Sequence, residues 1–172
     1  MTDWVDNLAH RRVFWLTLAT LALFMEAAAL YYQYVLNYYP CMVCIHIRLV
    51  IAGFALLWLA AGINPGSGWL RWTGIVGSFL ISIVFIERSW QLLAIEYGWV
   101  FSSCEMTLGL PSWAAVDRWL PWVFEVQEPC GVTPFVIGRI SMAEVLMANA
   151  AIFLLLFAAL IVASAWRYQR TR

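Results

Sequence analysis

The sequence predicts an all-α membrane protein: a bundle of four transmembrane helices with one long periplasmic loop that contains a short interfacial helix. Three observations carry this. The 172 residues are 64% hydrophobic and 16% aromatic with only 12% charged, a balance that few soluble domains have. Four apolar stretches are long enough to cross a hydrocarbon core of about 30 Å, which takes about 20 helical residues. Between the second and third stretches, Asn64-Pro65-Gly66-Ser67-Gly68 is a turn-forming cluster that returns the chain into the membrane at once.

The first span reads as 13–36. It is too long for a removable signal peptide and no small-residue cleavage site follows it, so it is expected to stay as a membrane helix. A loop at 37–44 leads to the second and shortest span, 45–62, and the Asn-Pro-Gly turn leads to the third, 69–93. The second loop, 94–140, is the one substantial segment outside the membrane, and the fourth span is 141–166. Residues 1–172 read as a single four-helix membrane domain, too small to hold a separate soluble catalytic module. No nucleotide-binding pattern, internal repeat or low-complexity tract is present, and no nucleic-acid partner is expected.

The chain has no lysine, so arginine alone sets orientation. Arg11, Arg12, Arg71, Arg167, Arg170 and Arg172 fall on one side of a four-span serpentine, and Arg48, Arg88, Arg118 and Arg139 on the other. That bias points both termini to the cytoplasm. The first and third connections of any such serpentine emerge on the same face. All four cysteines therefore share one compartment, which with the termini inside is the bacterial periplasm or its equivalent, where disulfides persist.

Those cysteines fall as Cys41-Met42-Val43-Cys44 at the mouth of the second span and as a separated pair, Cys104 and Cys130, in the long loop. The placement points to electron transfer between two cysteine pairs. Two cysteines three apart can close a small disulfide, and at a helix start their thiolates face the positive end of the macrodipole. Pro40 precedes the pair and Ile45 opens the span, so Cys44 is expected at or just inside the helix N-terminus with an easily formed thiolate. Arg48 lies one turn further on the same face, where a permanent cation favours a thiolate or an anionic oxygen on a ligand. As a plain membrane residue it would be a snorkelling interface anchor. Zinc would want a second close pair of ligands, and haem attachment wants a histidine where Ile45 stands. Purely structural disulfides remain the bland alternative.

The long loop carries Glu96, Glu105, Asp117, Glu125 and Glu128. A disulfide between Cys104 and Cys130 would close a loop long enough to be flexible when reduced and exposed to another protein when oxidised. From Pro111 to Glu125, Trp113, Val116, Trp119, Leu120, Val123 and Phe124 alternate with Ser112, Asp117 and Arg118. Such a stretch suits a short helix lying in the headgroup region, or simply a set of interfacial tryptophans. Either arrangement keeps the loop cysteines within reach of Cys41 and Cys44.

The run from Glu26 to Arg48, with Gln33, Pro40, Cys41 and Cys44 between them, resembles the first helix and first periplasmic turn of the DsbB family of bacterial membrane disulfide-bond formation proteins. The spacing to Cys104, the stretch from Trp113 to Phe124 with Asp117-Arg118-Trp119 at its centre, Cys130 and the apolar last span extend the resemblance over essentially the whole chain. It implies a thiol:quinone oxidoreductase of the inner membrane that reoxidises a periplasmic, thioredoxin-fold dithiol protein of the DsbA type. By the same resemblance, Cys104 and Cys130 form the disulfide that meets the reduced partner, with Cys104 taking the mixed disulfide. Electrons then pass to Cys41 and Cys44, and Cys44 faces a ubiquinone from the membrane pool held near Arg48, with menaquinone the other candidate. A quinone is an apolar, lipid-borne oxidant, and each 30 mV of potential difference drives the thiols by about 1.4 kcal/mol.

The chain departs from the family pattern in two places. It reads Ile45-His46-Ile47 where some members carry tyrosine and glutamate in the last two positions, so no carboxylate adjoins Arg48; His46 is a proton relay or an interface residue. It reads Ile95-Glu96-Tyr97 where some members have a histidine near the quinone, and Tyr97 can still donate a hydrogen bond. Glu26 is costly inside a membrane helix, and Gln33 sits two turns along the same face. Together they read as a polar seam between helices in preference to a proton route. Glu87 and Arg88 read as surface residues. Vitamin K epoxide reductase relatives place their CxxC late in the bundle, unlike this chain. A non-catalytic membrane scaffold with structural or metal-binding cysteines is the alternative from another class.

Overall fold

Apolar length alone produces the four long helices of the computed structural model, which describes residues 7–100, 107–111, 114–130 and 133–170. Helix α1 is Arg12–Tyr34, α2 is Met42–Ile63 and α3 is Gly68–Glu96. In the long loop follow two single-turn helices, α4 at Val116–Trp119 and α5 at Pro121–Phe124, then strands β1 at Phe135–Ile137 and β2 at Ile140–Ser141, and finally α6 at Met142–Arg170. Even α2, with 22 residues, is long enough at about 1.5 Å per residue to cross a bilayer. All four long helices have the length and hydropathy of membrane spans, and their exposed residues are of the kind lipid solvates, such as Phe24, Leu56, Leu80 and Leu155.

Each break has a local cause. After α1, Asn37 takes a left-handed conformation (φ 56°), which asparagine tolerates better than most residues, and the N–H of Tyr38 reaches back to the Tyr32 carbonyl at 3.0 Å. Helix α2 starts at Met42, three residues before the Ile45 expected from hydropathy, because Cys41 caps it. The interfacial helix expected between Pro111 and Glu125 is split in two at Leu120 and Pro121. Proline disfavours helical backbone in the residue before it, and Leu120 is at φ −136°, ψ 62°. Proline itself is well suited to the first position of a new helix, which is where α5 begins. The β1–β2 hairpin, antiparallel around Gly138 at φ 60°, had no counterpart in the sequence reading, since two or three residues are too few to show a period of two.

Helix α1 packs along α2, α2 along α3, and α3 along α6. Lipid is as apolar as leucine, so helices in a membrane associate through close packing and hydrogen bonds. Here the contact surface is aromatic. Phe54 stacks on Trp58 at 4.7 Å, and Phe153 meets both edge-on at 5.5 and 5.3 Å. The Trp58 indole N–H donates to Ser78 Oγ at 2.7 Å, and that of Trp15 to the Ala9 carbonyl at 2.9 Å. Trp15 also stacks with Phe157 at 6.5 Å, joining α1 to α6 at one end of the bundle. Toward the other end these two helices contribute facing walls to a cavity.

Gly74 on α3 permits the close approach at the crowded end. A Cβ there would lie 2.9 Å from both Ala61 Cβ and Trp15 Cη2. Gly74→Ala is expected to destabilise the bundle by about 1–3 kcal/mol through overpacking, read as a lower thermal midpoint in detergent. Gly68→Ala, where a Cβ meets nothing within 4 Å, is the control and should leave the midpoint unchanged.

Candidate functional site

The first turn of α2 leaves backbone N–H groups without helical partners. Cys41 supplies one partner, its Sγ accepting from the Cys44 N–H at 3.4 Å. Its sulfur also lies 2.9 Å from Cys44 Sγ, within hydrogen-bonding distance, and both are free thiols. The hydrogen bond from Cys44, aided by the backbone N–H groups, outweighs burial and lowers the Cys41 pKa to about 7. Cys41, buried at the helix cap, is thus placed where neighbouring donors stabilise its thiolate.

Arg48 is 5% exposed, and its guanidinium is held by three acceptors from two segments. Nη1 donates to Gln33 Oε1 at 2.7 Å and to the Val123 carbonyl at 2.9 Å, while Nη2 donates to the Ala29 carbonyl at 3.1 Å. It therefore bonds α1, α2 and the loop together and is no snorkelling anchor. Gln33 extends the network, its Nε2 donating to Gln127 Oε1 at 3.1 Å. The Gln127 N–H in turn donates to the carbonyl of Pro40, the residue before Cys41, at 3.0 Å. His46 fastens the loop at a second point. Its Nε2 is 3.1 Å from the Leu108 carbonyl, an acceptor that requires the proton on Nε2. Beside it Ile45, Leu108 and Phe124 form a small apolar cluster.

A cavity of about 330 Å³ opens beside Cys44 and Arg48. Leu21, Phe24, Met25 and Ala28 line it from α1, Ile47 and Ile51 from α2, and Val145, Leu146 and Asn149 from α6. Cys44 and Arg48 both stand in its wall, together with Tyr32, Tyr38, Tyr39 and Glu128, whereas Cys41 does not. The site is thus a thiol and a guanidinium at the polar end of an apolar chamber. The family model described as "Disulfide bond formation protein DsbB" matches residues 11–163. The chain belongs to the DsbB family. It is 31% identical over 160 residues to disulfide bond formation protein B of Aeromonas hydrophila, covering 91% of each chain. The corresponding protein of Vibrio parahaemolyticus is 30% identical over 167 residues, 96% of this chain and 94% of that one. Disulfide bond formation protein B 2 of Pseudomonas aeruginosa is 34% identical over 134 residues, 77% of this chain and 79% of its own.

Of the DsbB-family site residues expected from sequence, Cys41, Cys44 and Arg48 come together here. Cys130 is disulfide-bonded and packs against the main core; Cys104 lies outside the described residues, as do Ser112 and Trp113. Gln33 joins a seam as expected, but with Arg48 and Gln127. Glu26 has no hydrogen-bond partner for either carboxylate oxygen among the described residues, although its charge is within electrostatic range of Arg48. Tyr97 is not in the cavity wall. Its hydroxyl donates to Glu144 at 2.7 Å, and that carboxylate holds the phenol pKa above its ordinary value. Glu87 and Arg88 form a 3.7 Å surface pair as expected. Sequence reading missed Val123 and Gln127. No local pattern marks them, because their partners are 75 and 94 residues away.

Alkylation of the reduced protein, with Cys104 and Cys130 replaced by serine, should rise with pH through a midpoint near 7 at Cys41. In Cys44→Ala the sulfur donor is gone, and the midpoint should move up toward the ordinary thiol value of about 8.5. A midpoint unmoved by that substitution would show that another group stabilises the thiolate.

Proposed function

We propose that this DsbB-family membrane thiol oxidase reoxidises a periplasmic dithiol protein of the DsbA type and delivers the electrons to a quinone, with Cys104, Cys130, Cys41 and Cys44 as the redox residues. The observation that carries the reading is that Cys44 and Arg48 share the wall of an apolar cavity between α1, α2 and α6. The Aeromonas and Vibrio relatives are named as disulfide bond formation proteins. Their name fits a chain with two free thiols at the α2 N-terminus and a disulfide-bonded Cys130 in the loop.

The exchange runs in two balanced thiol–disulfide steps. A thiolate of the reduced partner attacks the Cys104–Cys130 disulfide at Cys104, and the partner's second thiol resolves the mixed disulfide. The partner leaves oxidised and the loop pair holds two electrons and two protons. The loop dithiol then reduces an oxidised Cys41–Cys44 pair in the same manner, recreating the free thiols seen at the α2 N-terminus.

The cavity suits a quinone: its wall is largely aliphatic and aromatic, and Arg48, Asn149 and the tyrosines offer polar atoms at its edge. A quinone bound there supplies a two-electron, two-proton acceptor that exchanges with the lipid pool. Cys44 stands in the wall of the chamber. Cys41, outside the chamber and 2.9 Å from Cys44 Sγ, is placed to close the disulfide once the pair gives up its electrons. Arg48 fixes positive charge where an acceptor oxygen gains negative charge, an arrangement worth most where water is excluded. Leu21 and Phe24, exposed on the outer surface of α1, support an entrance on the lipid side. Ubiquinone and menaquinone share the head-group chemistry this wall can meet. With both termini in the cytoplasm, the loop and Cys41 face the periplasm of a bacterial inner membrane.

Anaerobic addition of a reduced DsbA-type protein to the purified chain with ubiquinone should give stoichiometric quinol, followed by absorbance. Cys44→Ala and Cys104→Ser should both abolish it. No quinol, with Cys41 and Cys44 unreactive, would leave the structural or metal-binding scaffold as the better account. Arg48→Ala should raise the apparent KM for quinone about tenfold, equivalent to about 1.4 kcal/mol, and an unchanged quinone dependence would remove Arg48 from acceptor binding.

A further inference from the structure

Arg48 lines the acceptor cavity, yet its hydrogen bonds run to groups outside the reacting pair. One acceptor is the Val123 carbonyl, in the last turn of α5, where carbonyls lack helical partners. Another is Gln33 Oε1, whose own amide N–H is taken by Gln127. Gln127 and Glu128 both donate backbone N–H groups to the Pro40 carbonyl, at 3.0 and 3.4 Å. Cys130 follows two residues after Glu128. The loop segment bearing a redox cysteine is therefore joined both to the guanidinium beside Cys44 and to the residue preceding Cys41.

We infer that Gln33 and Gln127 are positioning residues that tie the docked loop to Arg48, so that the orientation of the guanidinium in the cavity wall depends on where the loop lies. The two amides act as a unit. With its N–H groups directed at Gln127, Gln33 must turn its oxygen to Arg48; without that acceptor the amide is free to rotate away. Displacement of residues 123–128 removes the Val123 carbonyl from Arg48 directly and the Gln127 acceptor from Gln33 indirectly. Arg48 is then held only by the Ala29 carbonyl and whatever oxygen the cavity contains. The loop that receives electrons from the partner thus sets the polarity of the site that disposes of them, with no contact between Cys130 and the acceptor. The consequence for acceptor affinity rests on the reading of Arg48 proposed above; the mechanical link does not.

Gln127 is exposed, so its side chain can be replaced without opening the core, and Gln127→Leu keeps the backbone bond to Pro40. In full-length protein in detergent, solvent exchange of the Arg48 side-chain N–H groups is followed by ¹⁵N NMR, the signals being assigned by their loss in Arg48→Lys. Exchange should quicken about three- to tenfold in Gln127→Leu, the range spanned by one ordinary hydrogen bond. Gln127→Glu, which keeps an acceptor, should restore the slow rate. Gln33→Leu/Gln127→Leu should exchange no faster than Gln33→Leu alone. In turnover, Gln127→Leu should raise the quinone KM by a similar factor, with kcat and the KM for the dithiol protein unchanged.

An unchanged Arg48 exchange rate in Gln127→Leu overturns the link. So does an unchanged quinone KM in that variant where Arg48→Ala raises it. If Arg48→Ala itself leaves the quinone KM unaltered, the role of Arg48 in acceptor binding fails, and the exchange rates still decide the link. Gln127→Met provides the same test should Gln127→Leu not fold.

Discussion

A guanidinium buried at the membrane edge must have its donors satisfied, and the arrangement of this molecule's functional end follows from that demand. Breaking a buried charge network typically costs about 3–5 kcal/mol, so a segment that supplies an acceptor to Arg48 is held where it does so. Ala29 and Gln33 fix α1 against α2, and Val123 fixes the loop over both. The same bonds keep the planar group in the wall of the cavity beside Cys44. A lysine could not meet three acceptors in this way, since a point charge on a flexible stem lacks the fixed fork.

The division of labour between the two thiols comes from helix-end chemistry. A residue at the cap position is turned away from the helix axis and toward the orphan N–H groups of the first turn, and Cys41 uses its sulfur as serine or aspartate would use an oxygen. That geometry buries Cys41, and the hydrogen bond from Cys44, aided by the backbone N–H groups, lowers its pKa in spite of the burial. Cys44, inside the first turn, forms part of the cavity wall. One CxxC pair thereby has one cysteine at the helix cap, outside the cavity, and a second in the cavity wall.

The spans were legible because a run of about 20 apolar residues has few alternatives to a membrane helix. The Cys41–Cys44 pair was legible from placement alone. The Gln33–Arg48 contact was readable in principle: Gln33 stands seven residues before Pro40 and Arg48 seven after Cys41, so a tight helical hairpin brings them to the same depth. Periodicity put Glu26 and Gln33 on one face as a polar seam between helices, and of the two it is Gln33 that meets the charged donor of the neighbouring helix, the stronger kind of hydrogen bond. The split at Pro121 lay within reach of the rule for residues preceding proline. Val123 and Gln127 did not, because a backbone carbonyl or an exposed amide carries no mark of a partner 75 or 94 residues away.

The cavity itself depends on the membrane. Helices α1 and α6 are joined by the Trp15–Phe157 stack at one end and separate toward the α2 N-terminus. In a water-soluble bundle a dry void of about 330 Å³, at about 24 cal/mol per Å³, would cost on the order of 8 kcal/mol, comparable to the whole stability of a typical domain. A seam that opens on lipid has no such cost, since acyl chains fill it with the same dispersion contacts that a packed side chain would make. The bundle can therefore leave one side incompletely closed beside a reactive thiol. The species best suited to replace lipid there is another lipid-soluble molecule, one whose polar head can accept hydrogen bonds from the single guanidinium at the end of the seam.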